Sequence, residues 1–113
     1  MSPVVPPPGE WLGLVGVFVG GCVERGDGSS FRRRAHAHNV TGGSHFGWVC
    51  IRSARRVRTA SGLASTLFLH EYAHILTPNH GHDAAWRAAI TALGRPAEAQ
   101  RMRRRRKPLT AGA

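Results

Sequence analysis

Six residues within the stretch LHEYAHILTPNHGHDAAW, residues 69 to 86, can bind a metal or move a proton: His70, Glu71, His74, His80, His82 and Asp83. The chain has 113 residues and only seven histidines, so four of the seven are gathered here. His70 and His74 are four apart, about one turn of a helix, which puts both imidazoles on one face with Cβ atoms about 6 Å apart, near enough to share an ion. Zinc accepts such a pair at about 2.0 to 2.1 Å per nitrogen. Glu71 stands one step around the helix, offset from the pair. It is better placed to take a proton from a water beside the ion, as a general base, than to act as a third ligand. Leu63 and Leu67 recur on the same side as the histidines, and imidazoles buried on an otherwise apolar face need a partner.

A zinc ion that does chemistry takes three protein ligands and keeps one position open. Past Pro78, both His80 and His82 are candidates for the third. His80 belongs to a tight loop, whereas His82 enters a second helix that Asp83 and Trp86 can anchor, so rigidity favours His82. Of the other histidines, His36 and His38 fall on one strand face with His45 across a turn. They can form a second metal site or line a cleft, but their spacing fits no standard zinc pattern, and a solvated or hydrogen-bonded face is the expectation. Cys22 and Cys50 are 28 apart and neither lies in a CxxC pair. Both are expected as reduced thiols serving as small apolar side chains.

These residues need elements to hold them. Residues 14 to 19, LVGVFV, suit a short buried strand or an apolar helical turn, and periodicity does not choose between the two. From Arg34 the chain alternates, with Ala35 and Ala37 on one side and His36 and His38 on the other. VTGGS (40 to 44) is turn chemistry, and HFGWVCIRS (45 to 53) is a second strand, so the pair reads as a β-hairpin. The period then changes: Leu63, Leu67, His70 and His74 define a helix that Thr59 or Ser61 caps and Pro78 ends near Thr77. A second helix starts at Asp83, shows Trp86, Ile90 and Leu93 on one face, and closes at Gly94. The fold class is α+β, a hairpin or small antiparallel sheet packed on the histidine-bearing helix, with a second helix following.

Charge separates the ends from the body. The first nine residues, MSPVVPPPG, have four prolines and read as a stiff exposed lead-in. Residues 95 to 113 hold seven bases against Glu98, so +6 of the formal +10 lies there and +4 in the rest. A run such as RMRRRRK repels itself; it is read as a disordered tail, either solvated or an arm for a polyanion such as nucleic acid. The domain is therefore expected over residues 10 to 94. The apolar run 11 to 23 is too short to span a bilayer and contains four glycines, and no positive charge precedes it as in a signal peptide. A cytoplasmic protein with no membrane partner is the expectation.

HEYAH followed by a short loop and GHDAAW resembles the SprT-like metallopeptidases and related small bacterial HExxH proteins, whose third zinc ligand is the histidine of a following GHGxxF/W element. The resemblance covers residues 34 to 94, with its specific part at 70 to 86. It implies a zincin-like domain in which His70, His74 and His82 bind zinc, Glu71 is the catalytic base, and Trp86 packs the second helix behind the site. It also implies that residues 45 to 53 form the edge strand beside the cleft, pairing with an extended peptide substrate. The chain departs from the pattern in having Asp83 in place of a glycine, a short loop between helix and histidine, and no cysteine-rich zinc ribbon.

The function expected on these grounds is zinc-dependent peptide hydrolysis, with DNA-associated proteins as a substrate class suggested by the resemblance and the arginine tail. The alternative, from another class, is a basic nucleic-acid-binding protein whose zinc is structural or whose peptidase activity has lapsed. Arg32 to Arg34 and the arginine run motivate it, through phosphate contacts that weaken steeply with salt.

Overall fold

A computed structural model describes residues 11–23, 34–60 and 63–111, with side chains as far as residue 103. The proline-rich lead-in, Arg32, Arg33, Ser61 and the side chains of Arg104 to Lys107 lie outside the described residues. Three strands come first: β1 (Gly16–Val19), β2 (Ala35–Ala37) and β3 (Trp48–Ile51). A single 3-10 turn at Ala54–Arg56 leads to three helices, α1 (Thr66–Leu76), α2 (Ala84–Ala92) and α3 (Pro96–Ala111).

The ambiguous run at 14 to 19 resolves as a strand because Gly16 to Val19 pair in parallel with Trp48 to Ile51. β2 pairs with β3 in the antiparallel sense, as the hairpin requires, with Ala35 opposite Ile51 and Ala37 opposite Val49. The sheet order is β1-β3-β2, so the sheet is mixed where an antiparallel one was expected. β3 is its central strand; the edge role expected of residues 45 to 53 therefore falls to β2 and β1, because β1 occupies the side of β3 that a substrate would need. Gly47 permits this. It sits at φ +95°, and a Cβ there would stand 2.7 Å from the Val15 side chain and 2.9 Å from the Gly13 carbonyl.

Residues paired across a sheet share a face. Val17, Val19, Ala35, Val49 and Ile51 thus make one apolar face, and it packs against Phe68, Leu69, Tyr72 and Ile75 of α1. Trp11 closes the far end, edge-on to Phe68 and Tyr72 with ring centroids 5.2 and 5.0 Å away. The Tyr72 hydroxyl donates to the Leu12 carbonyl at 2.8 Å, and its ring is buried in this core.

Helix α1 begins later than expected. Ser65 is its N-cap, its hydroxyl accepting from Phe68 N at 3.0 Å, while the backbone around Thr59 and Leu63 closes a small loop. Leu63 is therefore 64% exposed and does not lie under the histidines. The other boundaries follow the signals: α1 stops at Thr77, Asp83 caps α2 through Trp86 N, and Gly94 terminates it at φ +91°.

The boundary at residue 94 is the larger correction. Pro96 opens α3, and Ala99 and Met102 are buried in the same core as Trp86 and Ile90. Arg95 fixes the entry to α3, donating to the Thr66 hydroxyl at 3.1 Å and the Ala64 carbonyl at 3.2 Å. A run rich in arginine still offers one apolar side when it coils. Ala99 and Met102 are three apart and share that side, while Arg101 and Arg103 project outward.

Candidate metal centre

Helix α1 brings His70 and His74 to one face, and the short 77–83 loop returns His82 over it. The Nε2 atom of His82 lies 2.9 Å from that of His70 and 3.2 Å from that of His74. Tetrahedral zinc with bonds of about 2.0 to 2.1 Å spaces three nitrogen ligands roughly 3.3 Å apart, which these separations approach. The structure thus brings together His70, His74 and His82 as a group able to hold a metal ion.

The far nitrogen of each α1 histidine is held. His70 Nδ1 lies 2.7 Å from Glu98 Oε2. Arg101 donates to both oxygens of Glu98, at 2.9 and 2.7 Å, and this pairing, with His70 adding to it against the cost of burial, holds the Glu98 carboxyl down to about 2. An ionised carboxylate only accepts, so His70 Nδ1 carries a proton, and in the neutral ring that leaves the lone pair on Nε2. His74 Nδ1 faces the His80 carbonyl at 3.3 Å, which also only accepts, so His74 Nε2 presents a lone pair in turn.

One side-chain amide steadies that second contact: Asn39 Nδ2 donates to the same His80 carbonyl at 3.1 Å. Asn79, the one non-glycine residue at positive φ among those described, donates to the Thr41 hydroxyl and accepts from Thr41 N. The hairpin turn and the α1–α2 loop are thereby tied together beside the histidines. Partners of this kind, a carboxylate and a carbonyl on the distal ring nitrogens, orient metal-binding imidazoles in known sites.

Two lone pairs facing a third imidazole within 3.2 Å repel unless positive charge lies among them. His82 can offer one Nε2 proton to one neighbour, never to both at once. Burial holds His74 well below the usual histidine range, at about 4, and the nearby His70 lowers it further, against smaller upward pulls from the His80 carbonyl and Asp83. Neutral imidazoles are the form in which a metal binds. The donor set and its orientation fit a cation.

Trp86 forms the back wall, its ring 4.7 Å from those of His70 and His82 and 5.5 Å from that of His74. It is fully buried, and its Nε1 donates to the His70 carbonyl at 3.1 Å. Glu71 is buried beside His70 on α1, at 8% exposure. His80, the rival third ligand, turns its ring outward to Asp83 and contributes its backbone carbonyl instead. The pairing with His80, then the Trp86 backbone N–H, keep the Asp83 carboxyl below its ordinary value.

Compared with protein-family models, with curated proteins and with solved structures, the chain gives no match.

Three features lay beyond the sequence reading. Glu98 falls in the run that reads as a tail, and its only signal is its position in the first turn after Pro96, where an acid suits the start of a helix. Cys22, His36, His38 and Cys50 form a second group whose ligand atoms all lie within 4.8 Å of one another. The alternation of His36 and His38 is visible in the sequence; their meeting with two cysteines is not. Finally, Arg34, Arg55, Arg56, Arg58 and Arg101 line one surface groove with Glu98 at its wall. Among the described residues no helix is long and apolar enough to cross a membrane.

Proposed function

We propose that this protein is a zinc-dependent metallopeptidase of SprT-like type. The observation that carries the reading is the convergence of three Nε2 atoms, 2.9 and 3.2 Å apart, with two of the rings held at Nδ1 by Glu98 and the His80 carbonyl. The resemblance of HEYAH…GHDAAW to that family supplies the reaction class. When bound, zinc supplies a Lewis acid that brings the pKa of water to about 7 and polarises a carbonyl. His70, His74 and His82 would hold it, and Trp86 excludes water from behind them. Glu71, next to His70, takes the proton of the attacking water and hands it to the departing amine, as general base and then general acid. An extended peptide would pair with β2, an edge of the sheet, in the manner of strand addition.

The test compares the purified protein with Glu71→Gln. Both should retain the ion, and only the parent should cleave an unfolded protein substrate. Equal cleavage by the two removes Glu71 from the mechanism, and cleavage by neither under zinc-replete conditions removes the peptidase reading.

The arginine-lined groove favours a second reading, phosphate binding to nucleic acid. Five arginines line one depression, and although Arg101 is paired with Glu98 the excess of positive charge suits a polyanion; the two activities are compatible in a peptidase recruited to DNA-bound substrates. Affinity would fall steeply with salt and depend little on base sequence; binding unaffected by Arg55→Ala and Arg56→Ala together would remove the groove from it.

A further inference from the structure

The sheet face opposite α1 carries its own set of ligands. Phe18, Cys50 and His36 are paired across the three strands, so their side chains share this face, and His38 follows two residues after His36. The chain leaving β1 brings Cys22 back over the same face, where Cys22 and Cys50 are buried with Phe18 and Val23 against them. Cys22 Sγ lies 3.5 Å from His38 Nε2, and the His36 and His38 rings meet edge to face with centroids 5.0 Å apart. The backbone N–H of Val23 donates to Cys50 Sγ at 3.4 Å, a downward pull on a thiol that burial pushes up to about 12, so that without a metal this sulfur keeps its proton. No disulfide joins the two cysteines.

We infer that Cys22, His36, His38 and Cys50 form a second metal site, a closed Cys2His2 site for zinc with a structural role. Four ligand atoms within 4.8 Å of one another lie close to the roughly 3.3 to 3.8 Å edges of a zinc tetrahedron with bonds of about 2.0 to 2.3 Å. Two sulfurs and two imidazole nitrogens are a complete structural set, with no position left for substrate, in contrast to the three-histidine group across the sheet. On binding, the two thiol protons leave to solvent and the sulfurs bind as thiolates. Their charges cancel that of the ion, so the site needs no acidic neighbour in a chain of formal charge +10.

The fold has a use for it. The strands are three and four residues long, and the helices that contact them lie on the other face. A sheet this small, with helices on one face only among the described residues, is marginal without a staple, and small domains commonly use a metal for that purpose. The ion would tie the segment after β1 to both strands of the hairpin. It would thereby fix β2, whose following turn is bonded through Asn39 and Thr41 to the loop beside the candidate centre.

Cobalt(II) loading of the reduced, full-length protein tests this. Thiolate ligands give a sulfur-to-cobalt charge-transfer band in the near ultraviolet, which a three-histidine site cannot. We expect that band, with two ions bound per chain. Cys22→Ser and Cys50→Ser should each abolish it and reduce the count to one, whereas His74→Ala should keep the band and lose the other ion. Should the cysteine variants fail to fold, alkylation of the unaltered protein decides: both thiols protected when zinc is bound, both modified after chelation. A cobalt complex lacking the band, or a Cys22–Cys50 disulfide in the reduced preparation, overturns the site while leaving the three-histidine centre standing. The band without a second ion would instead count against the peptidase.

Discussion

Glu98 accepts a hydrogen bond from His70 across 28 residues of sequence, its Oε2 lying 2.7 Å from the imidazole Nδ1. Through it, a helix that reads as a charged tail becomes part of the candidate metal centre. Arg101, bonded to both Glu98 oxygens, keeps that carboxylate charged and aligned.

Removing the carboxylate should weaken metal binding without removing a ligand. Loss of such a partner typically costs 10- to 100-fold in affinity, so Glu98→Ala should lie in about that range and Glu98→Gln, which keeps an accepting oxygen, should lose less. Competition against a chelator of known zinc affinity measures both. Unchanged affinity in Glu98→Ala would detach α3 from the site.

His82 and His80 should separate cleanly. His82→Ala takes away a converging Nε2 and should abolish tight binding at the three-histidine group. His80→Ala removes a ring paired with exposed Asp83 but keeps the backbone carbonyl that holds His74, so binding should survive. Zinc titration of the two variants is the measurement, and the reverse pattern would reassign the third ligand.

Truncation after residue 94 should unfold the protein rather than trim a tail, because it strips Ala99 and Met102 from the core. Met102→Ala should cost about 2 kcal/mol, at the low end for buried methionine because exposed Arg101 and Arg103 flank it. Urea denaturation reads both, and a cooperative transition unchanged by truncation would restore the boundary at 94.

Trp86 is the largest fully buried side chain and touches all three histidines. Trp86→Ala should cost about 3 to 5 kcal/mol of stability. Trp86→Phe keeps most of the volume but loses the hydrogen bond to the His70 carbonyl, so zinc affinity should fall more than stability does. Chemical denaturation and metal competition, run side by side, would show otherwise if the two declined together.

The metal-free protein should lose stability on acidification. His74 is lowered from 6.5 to about 4, so between these values the unfolded chain takes up a proton that the folded chain refuses. Stability from this group is complete above the higher value and declines as pH falls through the window towards the lower. Thermal unfolding of chelator-treated protein across that window checks the sign, and a flat profile would place His74 in water.

Local rules carried much of the site. The spacing of His70 and His74, the Asp83 cap, the stop at Pro78 and the alternation of His36 and His38 each depend on residues within a turn or two, and each stands in the structure as the sequence implies. The start of α1 differs from the expected cap at Thr59 or Ser61 because Ser65 is as sound a cap as either. Only the backbone bond that draws Ser65 N onto the Val57 carbonyl selects it.

The sequence by itself determined that two imidazoles share a helix face, that a third histidine follows within reach, and that a hairpin precedes them. Tertiary structure alone decided that β3 is central, that α3 belongs to the core and lends Glu98 to His70, and that two cysteines meet two histidines behind the sheet. The reason is the range of the forces involved. Helix period and capping act over a few residues and leave their mark in spacing. Contacts across 28 residues form only once apolar faces have packed, and strand register then selects which polar groups are carried along.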